Sequence, residues 1–338
     1  MLNCYGIILG GLTGFALSAP GLSQPAEDAA PAPTVPKGTL SVLVENDKFT
    51  GTDRHYTNGL LISYLSGKDR VPGWLRTASS FLPGVEDDTV LRAGYVLGQS
   101  IFTPDDTDTL EPLPNQRPYA AWLYGGVALV AETGDRLDTW ELDLGMVGPS
   151  ARGEEIQNGF HHLIGVEEAQ GWNNQLEDEF GVLLTFERKW RNGWEYQRTG
   201  YGIDMTPHVG AGIGNIASFV NFGITFRLGN DLSNDFGAPR IHPSLPGSNF
   251  FVPRDEFGWY FFLGADARAV GHNIFLDGNT DKDSLSVDRE LWVGDLQGGL
   301  VMNLFGSRLA YTYVYRTPEY EQQDDPDKFA SISLSIKY

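Results

Sequence analysis

Apolar and polar residues alternate along most of this chain, and the period of two is that of β-strands. Residues 39–44 open it, with Leu40, Val42 and Val44 on one face and Ser41 and Leu43 on the other. Residues 331–338 end it the same way: Ile332, Leu334, Ile336 and Tyr338 against Ser331, Ser333, Ser335 and Lys337. Between them the pattern predicts strands over 56–66, 89–102, 119–132, 137–147, 180–190, 194–206, 219–228, 259–269, 290–304 and 309–315. Thr133-Gly134-Asp135 reads as a short turn, and Asn192-Gly193 as a tight hairpin turn between 180–190 and 194–206. Two segments break the rhythm. Residues 73–82 read as a short helical connector. Residues 154–172 carry a helical period in which Gln157 and His161 share a face, as do Asn158 and His162, until Gly165 loosens it.

About twelve strands is an allowed number for a bacterial outer-membrane barrel, which is antiparallel and even-stranded. The expected fold is therefore an all-β, twelve-stranded antiparallel transmembrane β-barrel with a short helix in an outer loop. Faces that alternate apolar with Gly, Ser and charge suit a lipid-facing outside and a polar lumen. Tyr and Trp near strand ends suit interfacial girdles, and Tyr338 gives the last strand an aromatic end. A soluble β-sandwich also alternates, and that is the competing reading of the pattern alone. With both termini periplasmic, the corner at Asn46, Asp47 and Thr57 and the segment 153–178 fall on the same, outer side. The connections 68–88 and 229–255 would then be periplasmic, though longer than the turns expected there.

Composition narrows this further. The chain has 338 residues, 41 glycines and a formal net charge of -20. No stretch approaches the ~18 to 20 apolar residues of a membrane helix. The acidic balance excludes the basic stripe of a nucleic-acid-binding protein. Residues 7–19 read as the apolar region of a secretory signal, with Leu17-Ser18-Ala19 as cleavage site and no Lys or Arg before it. The expected organisation is a signal peptide over 1–19, an Ala/Pro-rich linker over 20–38 and a barrel over 39–338. Cys4 is the single cysteine and falls in the leader, so the exported chain has no thiol chemistry.

Two groups of residues carry candidate chemistry. Asp47, with Asn46 and Thr57, offers oxygen ligands of the kind calcium takes; a rim carboxylate that merely caps a hairpin is the plainer alternative. Asp53, Asp105, Asp106 and Asp108 fit a solvated acidic face. His161 is placed to act as a general base, since histidine as a residue type titrates near ~6.5, and Gln157 four residues earlier could orient its ring. A packed or surface histidine is the alternative. There is no G-x-S-x-G elbow, zinc spacing, P-loop or dinucleotide fingerprint.

Taken in order, these motifs resemble the outer-membrane lipid A 3′-O-deacylases. The resemblance runs through Val44-Glu45-Asn46-Asp47 and Asp53-Arg54-His55-Tyr56-Thr57-Asn58-Gly59-Leu60. It continues in Gln99-Ser100-Ile101-Phe102-Thr103-Pro104 and Arg117-Pro118-Tyr119-Ala120-Ala121. It is densest from Gly148-Pro149 through Gly153-Glu154-Glu155-Ile156-Gln157-Asn158 to His161, Ile164-Gly165, Glu167 and Trp172, and spans residues 39–181. The resemblance implies a calcium-dependent esterase that removes the ester-linked 3′ acyloxyacyl group of lipid A in the outer leaflet. It implies His161 as general base, Asn46, Asp47 and Thr57 as the rim site with Gln157 behind the histidine, and Glu167 in support. Asp47, Thr57 and Glu167 would be the candidate calcium site. Lipopolysaccharide and outer-membrane lipid are the expected partners of a monomer. The family's lysine after the Thr-Pro motif has no counterpart: the chain reads Asp105-Asp106-Thr107-Asp108-Thr109 there. A porin-like or structural barrel, or an outer-membrane phospholipase, is the other reading.

Overall fold

The computed structural model describes residues 38–50, 55–191, 193–198, 200–230, 232, 236–237 and 251–338. The expected leader and linker lie outside the described residues, except Gly38, which begins the first strand. Asp53 and Arg54 also lie outside them.

Twelve antiparallel strands form one closed ring. They are β1 (Gly38–Asn46), β2 (His55–Ser66), β3 (Val90–Thr103), β4 (Ala120–Thr133) and β5 (Arg136–Val147). Next come β6, in two pieces (Glu179–Trp190 and Trp194–Arg198), β7 (Tyr201–Gly214) and β8 (Ala217–Gly229). The ring is completed by β9 (Gly258–Asn273), β10 (Trp292–Leu304), β11 (Ser307–Arg316) and β12 (Asp327–Lys337). Each strand pairs with its neighbours in sequence, and β12 pairs with β1 from Thr39↔Lys337 to Asn46↔Ala330. Closure leaves no open sheet edge, which lipid would not tolerate.

The alternation is realised as a lipid-out, lumen-in code. On β12, Ile332, Leu334 and Ile336 are 42%, 44% and 46% exposed, while Ser331, Ser333 and Ser335 between them are buried. The lumen is polar and charged. Asp204 and Arg227 form a bidentate pair there, and His208 meets Asp266 at 2.5 Å. Gly223 lies between those two on β8, and a Cβ there would come within 2.3 Å of the Asp266 carboxylate.

One expected hairpin is corrected. Asn192 lies outside the described residues, and the residues on either side of it continue in one direction. Lys189 pairs with His208 and Trp194 pairs with Met205, so both pieces of β6 run the same way along β7. The reversal falls between Arg198 and Tyr201, where Gly200 holds φ 86°. A local turn signature loses here to continued cross-strand pairing.

The rim opposite the termini is closed from inside. Helix α3 (Ile274–Asp277), between β9 and β10, buries Ile274, Phe275 and Leu276 completely. Phe275 stacks on Phe102 with ring centroids 4.2 Å apart, and Trp122 lies 6.5 Å beyond. Purified protein is therefore expected to migrate heat-modifiably on gels and to carry no steady current in planar bilayers. Sustained porin-like conductance would contradict the plug.

Of the two long connections, the one between β2 and β3 carries a helix, and most of 229–255 lies outside the described residues. Helix α1 (Gly73–Ser79), between β2 and β3, packs Leu75 against Leu91, Ala93, Leu129 and Ala131, on the outer face of the β3–β4 wall. It does so near the rim that bears the termini.

Candidate active site

The site grows from β1 and β2. Residues 40, 42 and 44 face outward on β1, so Asn46 does too, yet it is buried, as is Asp47 after it. Asn46 pairs with Asn58 of β2, and its Oδ1 accepts from the Lys48 amide at 2.8 Å. The β2–β3 register shifts between Tyr56 and Asn58. That one-residue bulge places Thr57 on the outer face, where its hydroxyl lies 2.7 Å from that of Thr103 on β3. Asn46 and Thr57 thus bring buried oxygen atoms to the outside of the barrel at the rim, with Asp47 buried next in sequence.

What covers the neighbouring wall is the segment after β5. A 3₁₀ turn (Pro149–Ala151) leads into helix α2 (Gly153–Ile164). Gln99, outward-facing on β3, donates from Nε2 to the Ala151 carbonyl at 2.6 Å. Ile101, Tyr119, Ala121, Ala151, Ala169 and Trp172 form the apolar joint. Contact is close: a Cβ on Gly153 would lie 2.4 Å from the Trp172 ring and 2.6 Å from the Ala121 Cβ. The helix thus packs on the outer faces of β3 and β4. Arg152 takes φ 61° at its start, and Gly165 takes φ 72° at its end.

The structure separates the two histidines. His161 is 2% exposed against the wall, whereas His162 is exposed. His161 Nδ1 lies 2.7 Å from the carbonyl oxygen of Glu167. A carbonyl only accepts, so Nδ1 carries the proton, and in the neutral ring Nε2 is the basic nitrogen. Asn158 holds the returning chain, accepting from the Ala169 amide at 2.9 Å and donating to its carbonyl at 3.3 Å. The loop before β4 is tied in as well, through Gln170 N to Thr107 O at 2.8 Å and Leu176 N to Tyr119 O at 2.9 Å.

Two expected contacts differ. Gln157 is buried beside His161, but its oxygen accepts from Trp172 Nε1 at 2.9 Å; it holds the indole that seats the helix. Glu167 reaches the histidine through its backbone, and its side chain is exposed. Sequence reasoning also missed the supports from further away. Asp178 accepts from the Ser150 amide and hydroxyl, both at 2.7 Å. Asn279, in the connection after α3, accepts from the Glu177 amide at 3.0 Å and donates to its carbonyl at 2.9 Å. The small residues Gly153 and Gly171 were the one available sign of close packing.

The architecture defines a class: an outer-membrane β-barrel with a buried histidine held between its outer wall and a loop helix. The family comparison agrees. The chain belongs to the outer membrane protein LpxR family, whose model matches residues 12–338; it is the family of lipid A 3′-O-deacylases that the motifs resemble. The structure of LpxR from Salmonella typhimurium shares the fold at a TM-score of 0.72 and 21% identity, over 89% of this chain and 100% of that one. The β domain of the Bordetella autotransporter Brka has a TM-score of 0.45 and 13% identity, over 90% of this chain and 100% of that one. Among curated proteins none matches.

Proposed function

We propose that this protein is a lipid A deacylase of the outer leaflet, cleaving the ester-linked 3′ acyloxyacyl group with a histidine-activated water. The observation that supports it most is the placement of His161, buried on the outside of the barrel with its Nδ1 proton committed to Glu167. A site there takes the ester from the side, while its acyl chains remain in lipid. Water attacks the ester carbonyl carbon as His161 Nε2 takes its proton. The tetrahedral intermediate collapses with cleavage of the bond to the sugar oxygen, which takes that proton back. The products are a carboxylic acid and a free sugar hydroxyl. General-base assistance of this kind contributes ~100 to 10,000-fold.

Calcium is part of the proposal. Among the described residues no three His, Cys, Asp or Glu side chains gather as a metal cluster. The rim corner instead offers one carboxylate, Asp47, with the neutral oxygens of Asn46 and Thr57. Oxygen donors of this kind suit calcium rather than zinc. Glu167, expected as a second carboxylate, stands with that group exposed. Bound at the corner, the ion would polarise the ester carbonyl and offset charge on the oxyanion.

Mass spectrometry of lipid A from cells with and without the protein tests the reading. The expected result is loss of the mass of one acyloxyacyl group. Asp47→Ala, Thr57→Ala and calcium chelation should each suppress that loss. Unchanged lipid A would remove the deacylase reading, and full activity in excess chelator would remove calcium alone. Release of fatty acid from glycerophospholipid instead would make the protein a phospholipase.

A further inference from the structure

Helix α2 divides its surface three ways. At ~100° per residue, Ile156, Phe160 and Leu163 fall within ~60° of one another. Gln157 and His161 lie roughly 110° to one side, and Glu155 and His162 roughly 110° to the other. The second face is buried against the barrel, and the third is polar and exposed. The first is apolar and exposed, with Ile156 at 49%, Phe160 at 39% and Leu163 at 80%. Wall, water and a third medium account for a helix lying along the barrel, and that third medium faces large hydrophobic side chains. An apolar stripe on an exposed helix marks an interaction surface.

The wall beneath says what that medium is. A tilted strand needs ~9 to 11 residues to cross the hydrocarbon. On β8, the outward residues Val220, Phe222, Phe226 and Leu228 are exposed and Ile224 among them is half-buried, a run of that order. On β3, the exposed outward residues are only Tyr95 and Leu97. Ala93 and Leu91 below them are covered by α1, and Gln99 and Ile101 above them by α2 and its preceding turn. The exposed apolar run on β3 is thus shorter than that on β8 by the positions these two helices cover. Gln99 is four residues inside the end of β3, about 13 Å along the strand at ~3.3 Å per residue. The exposed Leu123 of β4 pairs with Gln99 and continues the lipid-facing surface below the helix.

We infer that α2 is immersed at the edge of the outer leaflet, with Ile156, Phe160 and Leu163 in contact with acyl chains of the surrounding lipid. Amphipathic helices at membrane interfaces seat their apolar face at this headgroup–acyl boundary. Here the polar face that lies against the wall carries His161, so the helix presents one side to lipid chains and the adjacent side to the candidate site. The inference rests on exposure and depth, and holds whether or not the protein is a deacylase.

Nitroxide labelling tests it on the full chain in vesicles of phosphatidylethanolamine and phosphatidylglycerol. Cys4→Ser removes the native thiol; Phe160→Cys, Leu163→Cys and Glu155→Cys then each carry one label. Heat-modifiable migration establishes that each labelled barrel has folded. The expected result is collision with oxygen in preference to a water-soluble nickel chelate at positions 160 and 163, and the reverse at 155. Preference for nickel at 160 and 163 would put the stripe in water and overturn the inference. Low collision with both reagents there would show a protein surface, a second copy or another chain, in place of lipid, and would overturn it too.

Discussion

Replacing His161 by alanine is expected to lower acyl release by ~100-fold or more at neutral pH, whereas His162→Ala is far milder. The two side chains are adjacent in sequence and roughly 100° apart on α2; one is buried at the wall and the other is exposed. Removing His161 takes away the basic nitrogen and the bond to the Glu167 carbonyl. It leaves every strand pair of the ring intact, and Trp172 and Asn158 still hold the segment through Gln157 and Ala169. Both variants should therefore migrate heat-modifiably and reach wild-type levels in the outer membrane. The decisive measurement is acyl release by the two proteins side by side. An inactive His162→Ala with an active His161→Ala would assign the chemistry to the exposed face. Two active variants would remove α2 from catalysis.

Replacing Glu319 by alanine should destabilise the barrel by ~3 to 5 kcal/mol, the usual cost of stranding buried charge. Glu319 lies in the connection between β11 and β12 and meets three buried guanidinium groups. Arg117 is at 3.2 Å, Arg268 at 3.1 Å and Arg316 at 3.5 Å. These come from the loop before β4, from β9 and from the end of β11, so one carboxylate fastens three parts of the rim. Asp295 satisfies Arg316 bidentately at 2.8 and 3.1 Å, and it would remain the principal counter-charge. Burial alone would raise the Glu319 pKa, but Arg316, Arg117 and Arg268 outweigh it and bring the carboxyl down to about 2. The group binds its proton more weakly folded than unfolded. Its stabilisation is thus complete above the ordinary value of 4.5 and lost as pH falls toward about 2. The urea midpoint for loss of the heat-modifiable form should drop in Glu319→Ala, and acid should narrow the gap to wild type. Equal midpoints at neutral pH would show that the cluster does not secure the rim.

The barrel was legible because its code is local: on β12 each outward Ile or Leu stands beside an inward Ser, and two residues suffice to read the period. The helix was legible in the same way, as a change of period ending at Gly165. The Asn192-Gly193 hairpin failed because a turn dipeptide reports only local preference. Whether the chain turns there depends on whether Trp194 finds Met205 across the sheet, which no neighbouring residue encodes. The outward aim of Thr57 depends on a one-residue bulge that alternation does not reveal. Glu167 was expected to support the site with its carboxylate; it meets the histidine through its backbone carbonyl instead, a difference that residue type does not encode. The ties from Asn279 to Glu177 span 102 positions, and such long-range pairings leave no mark in a single sequence.

The seam between β1 and β12 sets an order of events on assembly. Ser41 and Ser335 share a hydrogen bond of 2.7 Å across it, 294 positions apart. Contacts of such separation are costly to close and slow to form. During synthesis β1 is the first strand to emerge, and its second partner is the last. Until β12 pairs with it, β1 has one edge open, carrying Leu40, Val42 and Val44, the type of edge that invites pairing with a foreign chain. The same terminal strand that completes the ring thus also ends the period in which the chain is open to misassembly, making its arrival a commitment step for the whole barrel.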